Sequence, residues 1–172
     1  MTPPDALLLI ASGCPHCHSA LEALTRFVKE GALSRLTVIN VTASPDAPGA
    51  HGIRSVPWTR IGPFELGGAR SAVELRQWAE AAGSGTGWGR YFALLLEEGR
   101  LDALIERLRS SPGTLTDLLQ LFADPATPLS LRIGVSAAME GLVGSELLRR
   151  SVPQILPLTH SESPQVRADA CH

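Results

Sequence analysis

The sequence has little of several features that define particular protein classes. Aromatic residues make up 5 % of the 172 residues, there are three cysteines, and 15 basic and 17 acidic side chains leave a formal net charge of -2. The balanced charge argues against a nucleic-acid partner or an acidic membrane surface. Three cysteines are too few for a scaffold stapled by disulfides, and no run reaches the ~18 apolar residues of a membrane span.

The N-terminus also lacks the marks of a secretory leader. Residues 1–5 contain no basic side chain, and the short apolar run that follows leads directly into a cysteine motif. Removal of a leader there would also remove the strand before the motif. We therefore expect a cytoplasmic protein, and in a reducing compartment a close cysteine pair is more often catalytic or metal-binding than structural.

Glycine is concentrated in one place, and this concentration predicts a domain boundary. Hydrophobic residues make up 44 % of the chain, enough for a packed core, and the length suits one domain or two small ones. Residues 83–89 read Gly-Ser-Gly-Thr-Gly-Trp-Gly, which is typical of a flexible connector. We predict a domain at 1–82, a linker at 83–89 and a second domain at 90–172.

Strand and helix signals alternate in the first domain. The continuous apolar run Ala6–Ile10 predicts a central strand that is covered on both faces. The four predicted strands are Ala6–Ile10, Leu36–Val41, Trp58–Ile61 and Phe64–Leu66. Because residues 43–52 contain prolines and glycines, they predict a loop. The predicted order is β-α-β-loop-β-β-α.

Two helices complete this pattern. Apolar residues after the first strand recur at helical spacing, namely Cys17, Leu21, Leu24 and Val28. Gly31 stands where a C-terminal cap is expected. The last helix begins at Ser71, which has capping-box spacing with Glu74. Its apolar stripe consists of Leu75, Trp78, Ala79 and Ala82.

The second domain shows helix signals only. Helices are predicted at Tyr91–Glu97, Leu101–Arg109, Leu115–Phe122, Leu129–Leu142, Ser145–Leu158 and from Gln165 onward. A weak repeat relates Asp117–Pro125 to Gln154–Ser161 at an offset of about 35 to 37 residues, near the range of helical-pair repeats. Stacked pairs bury apolar faces against their neighbours. Since Val166–His172 looks like the first turns of a helix and not a polar cap, we expect the natural protein to continue beyond His172.

The most informative motif is Cys14-Pro15-His16-Cys17, which lies between a predicted strand and a predicted helix. A helix N-terminus stabilises an anion, and a thiolate is the nucleophile in disulfide exchange. Three alternatives remain open on these residues alone. Cys14 to His18 matches the CxxCH pattern of haem attachment, and two cysteines and two histidines within five residues suit a metal site. A purely structural cysteine pair is the third alternative.

Two separated motifs in the first 82 residues resemble the thioredoxin/glutaredoxin superfamily in its small four-stranded form. One is Cys14-Pro15-His16-Cys17, and the other is Gly52-Ile53-Arg54-Ser55-Val56-Pro57, which looks like the family's loop ending in a cis-proline. Gly67-Gly68, between the last strand and the last helix, also fits. The resemblance implies an α/β thioredoxin-like domain with a four-stranded mixed sheet.

The resemblance also implies roles for individual residues. Cys14 matches the exposed attacking cysteine, and Cys17 matches the buried resolving cysteine. Pro57 matches the cis-proline that faces the dithiol, and Val56 matches the residue whose backbone pairs with a bound substrate strand. No metal and no cofactor take part in this chemistry.

One position and one dipeptide depart from thioredoxins proper. Leu8 stands where those proteins carry a buried acid, and Pro15-His16 resembles the periplasmic dithiol oxidases instead. A histidine beside the thiolate lowers the pKa of the thiol and favours the reduced form. We therefore expect the dithiol couple to be more oxidising than that of thioredoxin, which has a reduction potential of about -270 mV.

The second domain resembles HEAT-type helical repeats, which implies contact with a protein partner. Arg132 and Arg167 occupy similar places in the repeat and are expected to form a ladder of hydrogen bonds. We expect Trp58 to be a core residue, His18 a surface residue, and Cys171 a small buried helix residue without a redox role.

These inferences predict a thiol–disulfide oxidoreductase. Its partners would be protein disulfide or dithiol substrates, a reductase or other electron donor, and a protein bound by the helical repeats, with no nucleic acid and no membrane. The alternatives are a binding scaffold or redox sensor with little turnover, and a Cys/His metal-binding module.

Overall fold

In the computed structural model, which describes residues 2–50, 52–53 and 55–171, the early apolar run forms strand β1 (Asp5–Ile10). It lies between β2 (Arg35–Asn40), which runs parallel to it, and β3 (Trp58–Ile61), which runs antiparallel. Strand β4 (Phe64–Gly67) pairs antiparallel with β3, so the order is β2-β1-β3-β4. This four-stranded mixed sheet confirms the predicted thioredoxin-like fold class.

The register of the sheet brings four chain segments to one end. Ile10 pairs with Asn40, Leu9 pairs with Trp58, and Trp58 pairs with Gly67. Consequently the residues that follow β1, β2 and β4 and those that precede β3 all lie at this end. It is the end that carries Cys14.

Helices α1 (Cys17–Lys29) and α2 (Ala72–Ser84) pack against each other and against the sheet. The buried residues of α1 are Cys17, Ala20, Ala23, Leu24 and Phe27. Leu21 and Val28, which were predicted to belong to the apolar stripe, are only half-buried. Small alanines allow the helix to lie close to its neighbours, and that contact decides which side of the helix faces inward.

A second apolar cluster is formed by Leu7, Leu9 and Trp58, which confirms that Trp58 is a core residue. Since side chains alternate along a strand, Leu8 and Thr59 point to the opposite face. Both faces of β1 are therefore covered, as its uninterrupted apolar sequence predicted. Ala6, Leu7, Leu8 and Leu9 are all buried.

The boundary between the halves of the chain is shorter than the predicted linker. The predicted capping box of Ser71 and Glu74 starts α2, and the helix continues through Gly83 and Ser84. Gly85 ends it in the left-handed conformation, with φ 72°, which glycine adopts without steric cost. Because α3 starts at Trp88, only Gly85–Gly87 separates the two helices, and the chain divides into compact units at 1–87 and 88–172.

The second unit contains helices and no strand in its described residues, as predicted. Its α-helices are α3 (Trp88–Glu97), α4 (Leu101–Ser110), α5 (Leu115–Ala123), α6 (Leu129–Glu140), α7 (Glu146–Ile155) and α8 (Pro164–Cys171). Two short 3₁₀ helices lie at Pro112–Thr114 and Leu156–His160. Within the described ranges, no helix is long and apolar enough to cross a bilayer.

Cys171 is a free, exposed cysteine at the end of α8, so the prediction that it is buried was wrong. The buried residue of this helix is Val166. Cys171 follows it by five residues, which places the two side chains on different sides of the helix. His172 lies outside the described residues.

Candidate functional site

Cys14 and Cys17 are joined by a disulfide, with their Cα atoms 5.5 Å apart. The two residues differ in access to solvent. Cys14 is half-buried, whereas Cys17 is only 5 % exposed. An incoming thiol or disulfide therefore reaches Cys14 more easily than Cys17.

The pair straddles the start of α1. Cys17 is the first residue of the helix, and Cys14 lies in the turn before it, where its carbonyl accepts a 3.4 Å hydrogen bond from the Cys17 N–H. The first turn contains no acidic side chain. The partial positive charge of the helix N-terminus therefore remains available to stabilise a thiolate.

The residues between and after the cysteines are accessible. Pro15, His16 and His18 are exposed, and His16 caps α1 without a side-chain hydrogen bond to the helix. His18 is thus a surface residue, as expected. In the described part of the chain, no group of three or more His, Cys, Asp or Glu side chains is arranged to hold a metal ion.

Val56 and Pro57 lie at the same end of the sheet as the cysteines, and their peptide bond is cis. The side chain of Val56 packs against the cluster of Leu7, Leu9 and Trp58, while Pro57 is buried. Arg54, which belongs to the predicted loop, lies outside the described residues.

A pocket of about 300 Å³ adjoins this loop. The described residues that line it are Val41, Pro45, Ala50, Ile53, Ser55 and Val56. Most of these side chains are aliphatic, and a pocket of this size can take a small apolar group.

Leu8 is fully buried at the position where thioredoxins carry an acid. Its partner across the sheet is Thr59, which is also buried. The layer on this face of the sheet therefore holds a hydroxyl group beside Leu8 and no carboxylate at that position. Thr59 was not predicted to be a site residue, although a threonine between Trp58 and Arg60 in a strand was a usable signal.

Three polar residues near Cys14 were also missed. The Ser12 N–H donates to Thr42 Oγ1 at 3.2 Å, Asn40 Nδ2 donates to Ser12 Oγ at 3.1 Å, and the Thr42 N–H donates to Asn40 Oδ1 at 3.0 Å. These three residues form the Ser12–Asn40–Thr42 ring. Their position at or just beyond the ends of two parallel strands was the signal that could have identified them.

Comparison with known proteins agrees with this geometry. A family model described as a thioredoxin domain matches residues 7–80, a stretch that contains Cys14, Cys17 and Pro57. No curated protein matches the chain. The match lies within the first unit and leaves the helical unit outside it. A thioredoxin-like domain with a CxxC pair supports a redox function and a general oxidoreductase activity.

Proposed function

We propose that the chain is a thiol–disulfide oxidoreductase that exchanges disulfides with protein substrates through Cys14 and Cys17. The observation that carries this proposal is the disulfide between a half-buried cysteine and a buried one at the start of α1. This asymmetry suits a nucleophile that meets the substrate and a partner that resolves the intermediate.

The reduction of a substrate then proceeds in two exchanges. The Cys14 thiolate attacks one sulfur of the substrate disulfide, which forms a mixed disulfide and releases one substrate thiolate. The Cys17 thiolate attacks Cys14 Sγ, which breaks the mixed disulfide and releases the second substrate thiolate. Two electrons pass from the enzyme dithiol to the substrate, and the Cys14–Cys17 disulfide forms.

The backbone at Val56 and the adjoining pocket provide the docking site in this proposal. A substrate strand pairs with the backbone of Val56, beside Pro57, and an aliphatic side chain near the substrate cysteine enters the pocket. The aliphatic side chains among the described lining residues support this assignment.

Each reduction leaves the enzyme oxidised, so the proposal requires a reductase or another dithiol as electron donor. In the opposite direction, a substrate dithiol is oxidised and the enzyme disulfide is consumed. We place the protein in the cytoplasm, where the cellular thiol pool can reduce the pair. The reaction itself uses no cofactor.

Insulin reduction by single serine variants tests the proposal. Cys14→Ser abolishes turnover, and Cys17→Ser accumulates a mixed disulfide with the substrate. Cys171→Ser makes the same change at an exposed free thiol and keeps full activity. Turnover that survives Cys14→Ser rejects the proposal, and one zinc per chain in the reduced protein would favour a metal-binding module instead. Slow turnover with a tight substrate complex would favour a redox sensor.

We further propose that the helical unit is a HEAT-like repeat that recruits the substrate protein. The Arg132 Nη1 group donates to the carbonyl of Asp124, and the Arg167 Nη1 group donates to the carbonyl of Ser161, at 3.4 and 2.7 Å. Two arginines in equivalent helices thus bond the loop before each helix, which supports the repeat.

The exposed face of α6 offers a test of recruitment. Leu129 and Ile133 are one helical turn apart, and both are more than 60 % exposed. In a Cys17→Ser background, Ile133→Glu reduces the yield of trapped protein substrate. The yield of the mixed disulfide with glutathione stays unchanged. An equal yield of protein substrate with and without Ile133→Glu rejects recruitment by this face.

A further inference from the structure

The Ser12–Asn40–Thr42 ring joins two segments that are distant in sequence. The hydrogen bonds of Ser12 reach residues 28 and 30 positions away. They extend the pairing of β1 with β2 beyond the last strand residues, since the Val41 N–H also donates to the Ile10 carbonyl at 2.9 Å. The turn that follows β1 is therefore attached to the end of β2 by side chains.

This turn leads directly to the dithiol. Only Gly13 separates Ser12 from Cys14, and its φ of 76° lies in the left-handed region that favours glycine. The Cys14 N–H donates back to the Ala11 carbonyl at 3.3 Å. The ring holds Ser12, which lies in the middle of this turn. The turn then restrains the backbone of Cys14.

We propose that Asn40 and Thr42 are positioning residues for disulfide formation between Cys14 and Cys17. By holding the turn in the geometry of the disulfide, the ring stabilises the disulfide relative to the dithiol. The stabilisation of the disulfide by the ring can be measured by itself, and its use in substrate turnover rests on the proposed function.

The physical reason is conformational entropy. Closing a disulfide restricts the backbone of Cys14, and a turn already held by the ring has less freedom to lose. Ser12 and Thr42 are exposed, so water competes for these hydrogen bonds and the effect of each bond is modest. Loss of the ring shifts the equilibrium toward the dithiol and makes the couple more oxidising.

Equilibration with glutathione measures this effect on the whole chain. The reaction converts the protein disulfide and two glutathione thiols into the protein dithiol and one glutathione disulfide. Thr42→Val removes the hydroxyl that accepts the bond from the Ser12 N–H and is expected to shift the equilibrium about three- to tenfold toward the dithiol, as the loss of one hydrogen bond predicts. Thr37→Val makes the same change at an exposed position of β2 and leaves the equilibrium unchanged.

Ser12→Ala provides a second variant in case Thr42→Val folds poorly. It removes the bond from Asn40 and is expected to shift the equilibrium in the same direction. A variant that melts at a lower temperature but keeps the wild-type equilibrium overturns the inference, because a purely structural role has that effect. An equal shift in Thr37→Val overturns it as well.

The two proposals fail in different experiments. If insulin reduction survives Cys14→Ser while Thr42→Val still shifts the glutathione equilibrium, the proposed function is rejected and the positioning role stands. If Cys14→Ser abolishes insulin reduction while Thr42→Val and Ser12→Ala match the wild-type equilibrium, only the positioning role is rejected.

Discussion

Arg132, which is 1 % exposed in α6, donates from Nε to Oδ2 of Asp169 in α8 at 2.6 Å. The same guanidinium group donates to the carbonyl of Asp124. A buried cation is tolerated when it is paired and hydrogen-bonded, and here the two partners come from separate parts of the helical unit. The bond to Asp169 spans 37 residues, close to the offset of the sequence repeat.

Removing the carboxylate should destabilise the helical unit strongly. Asp169→Ala leaves the Arg132 guanidinium buried without its charged partner, which costs about 3 kcal/mol in the free energy of unfolding. Urea denaturation followed by circular dichroism measures the change. Glu146→Ala, which breaks the exposed pairs with Arg149 and Arg150, is the control and should cost below about 1 kcal/mol. Equal effects of the two variants would contradict the role of Asp169.

The exposed imidazole of His16 is expected to make the dithiol couple more oxidising. It lies between the two cysteines without a capping hydrogen bond, so it is free to stabilise the Cys14 thiolate. We expect the reduction potential of the wild-type couple to lie above that of thioredoxin, which is about -270 mV. His16→Ala should shift the glutathione equilibrium about three- to tenfold toward the disulfide.

His18→Ala is the matched control for this variant. His18 is also exposed and lies two residues further along the chain, in the first turn of α1. Its replacement should leave the equilibrium within about twofold of the wild type. A larger shift for His18→Ala than for His16→Ala would refute the assignment.

The capping box at the start of α2 should contribute measurably to stability. Ser71 Oγ accepts from the Glu74 N–H at 3.2 Å, and the Ser71 N–H donates to Glu74 Oε2 at 2.9 Å. Ser71→Ala removes the side-chain acceptor and is expected to cost about 1 kcal/mol. Ser71→Asp keeps an acceptor at this position and should lie near the wild type in thermal denaturation. If Ser71→Ala and Ser71→Asp have the same melting temperature, the cap does not stabilise α2.

Asp5 makes the stability of the first unit depend on pH. The hydrogen bond from Ser34 lowers the pKa of the Asp5 carboxyl below its ordinary value of 3.8, and the charge of Arg35 acts in the same direction. A lowered pKa in the folded state means that the stabilisation is present above the unfolded pKa and is lost as the pH falls through the folded pKa.

Asp5→Asn should therefore be less stable than the wild type at pH 7. The difference between the two melting temperatures should narrow as the pH is lowered below about 4, where the wild-type carboxyl becomes protonated. Thermal melts of both proteins across this range measure the difference. If the difference in melting temperature stays constant from pH 7 to pH 2, ionisation of Asp5 is not the cause of that difference.

Many features of the fold followed from local signals. The uninterrupted apolar run of β1 indicated a strand covered on both faces, and the Ser71 and Glu74 spacing marked the start of α2 within one residue. Such signals depend on neighbouring residues, and neighbours in sequence stay neighbours in the fold. The dithiol motif was identified on the same basis.

Other features could not be predicted from the sequence because they depend on contacts between segments that are distant along the chain. The inward side of α1 is set by its packing, which buries Phe27 and leaves Val28 half-buried. Cys171 is exposed because α8 faces its neighbours through Val166.

The sequence by itself determined that two cysteines lie close together at a helix start, since Cys14 and Cys17 are three residues apart between a strand signal and a helix signal. Only the tertiary structure decided what surrounds them. Strand pairing brings Val56 and Pro57 to the same end of the sheet, and it brings Asn40 and Thr42 beside the turn before Cys14. Register is a property of the assembled sheet, because it is set by side chains that meet across strands and not along them.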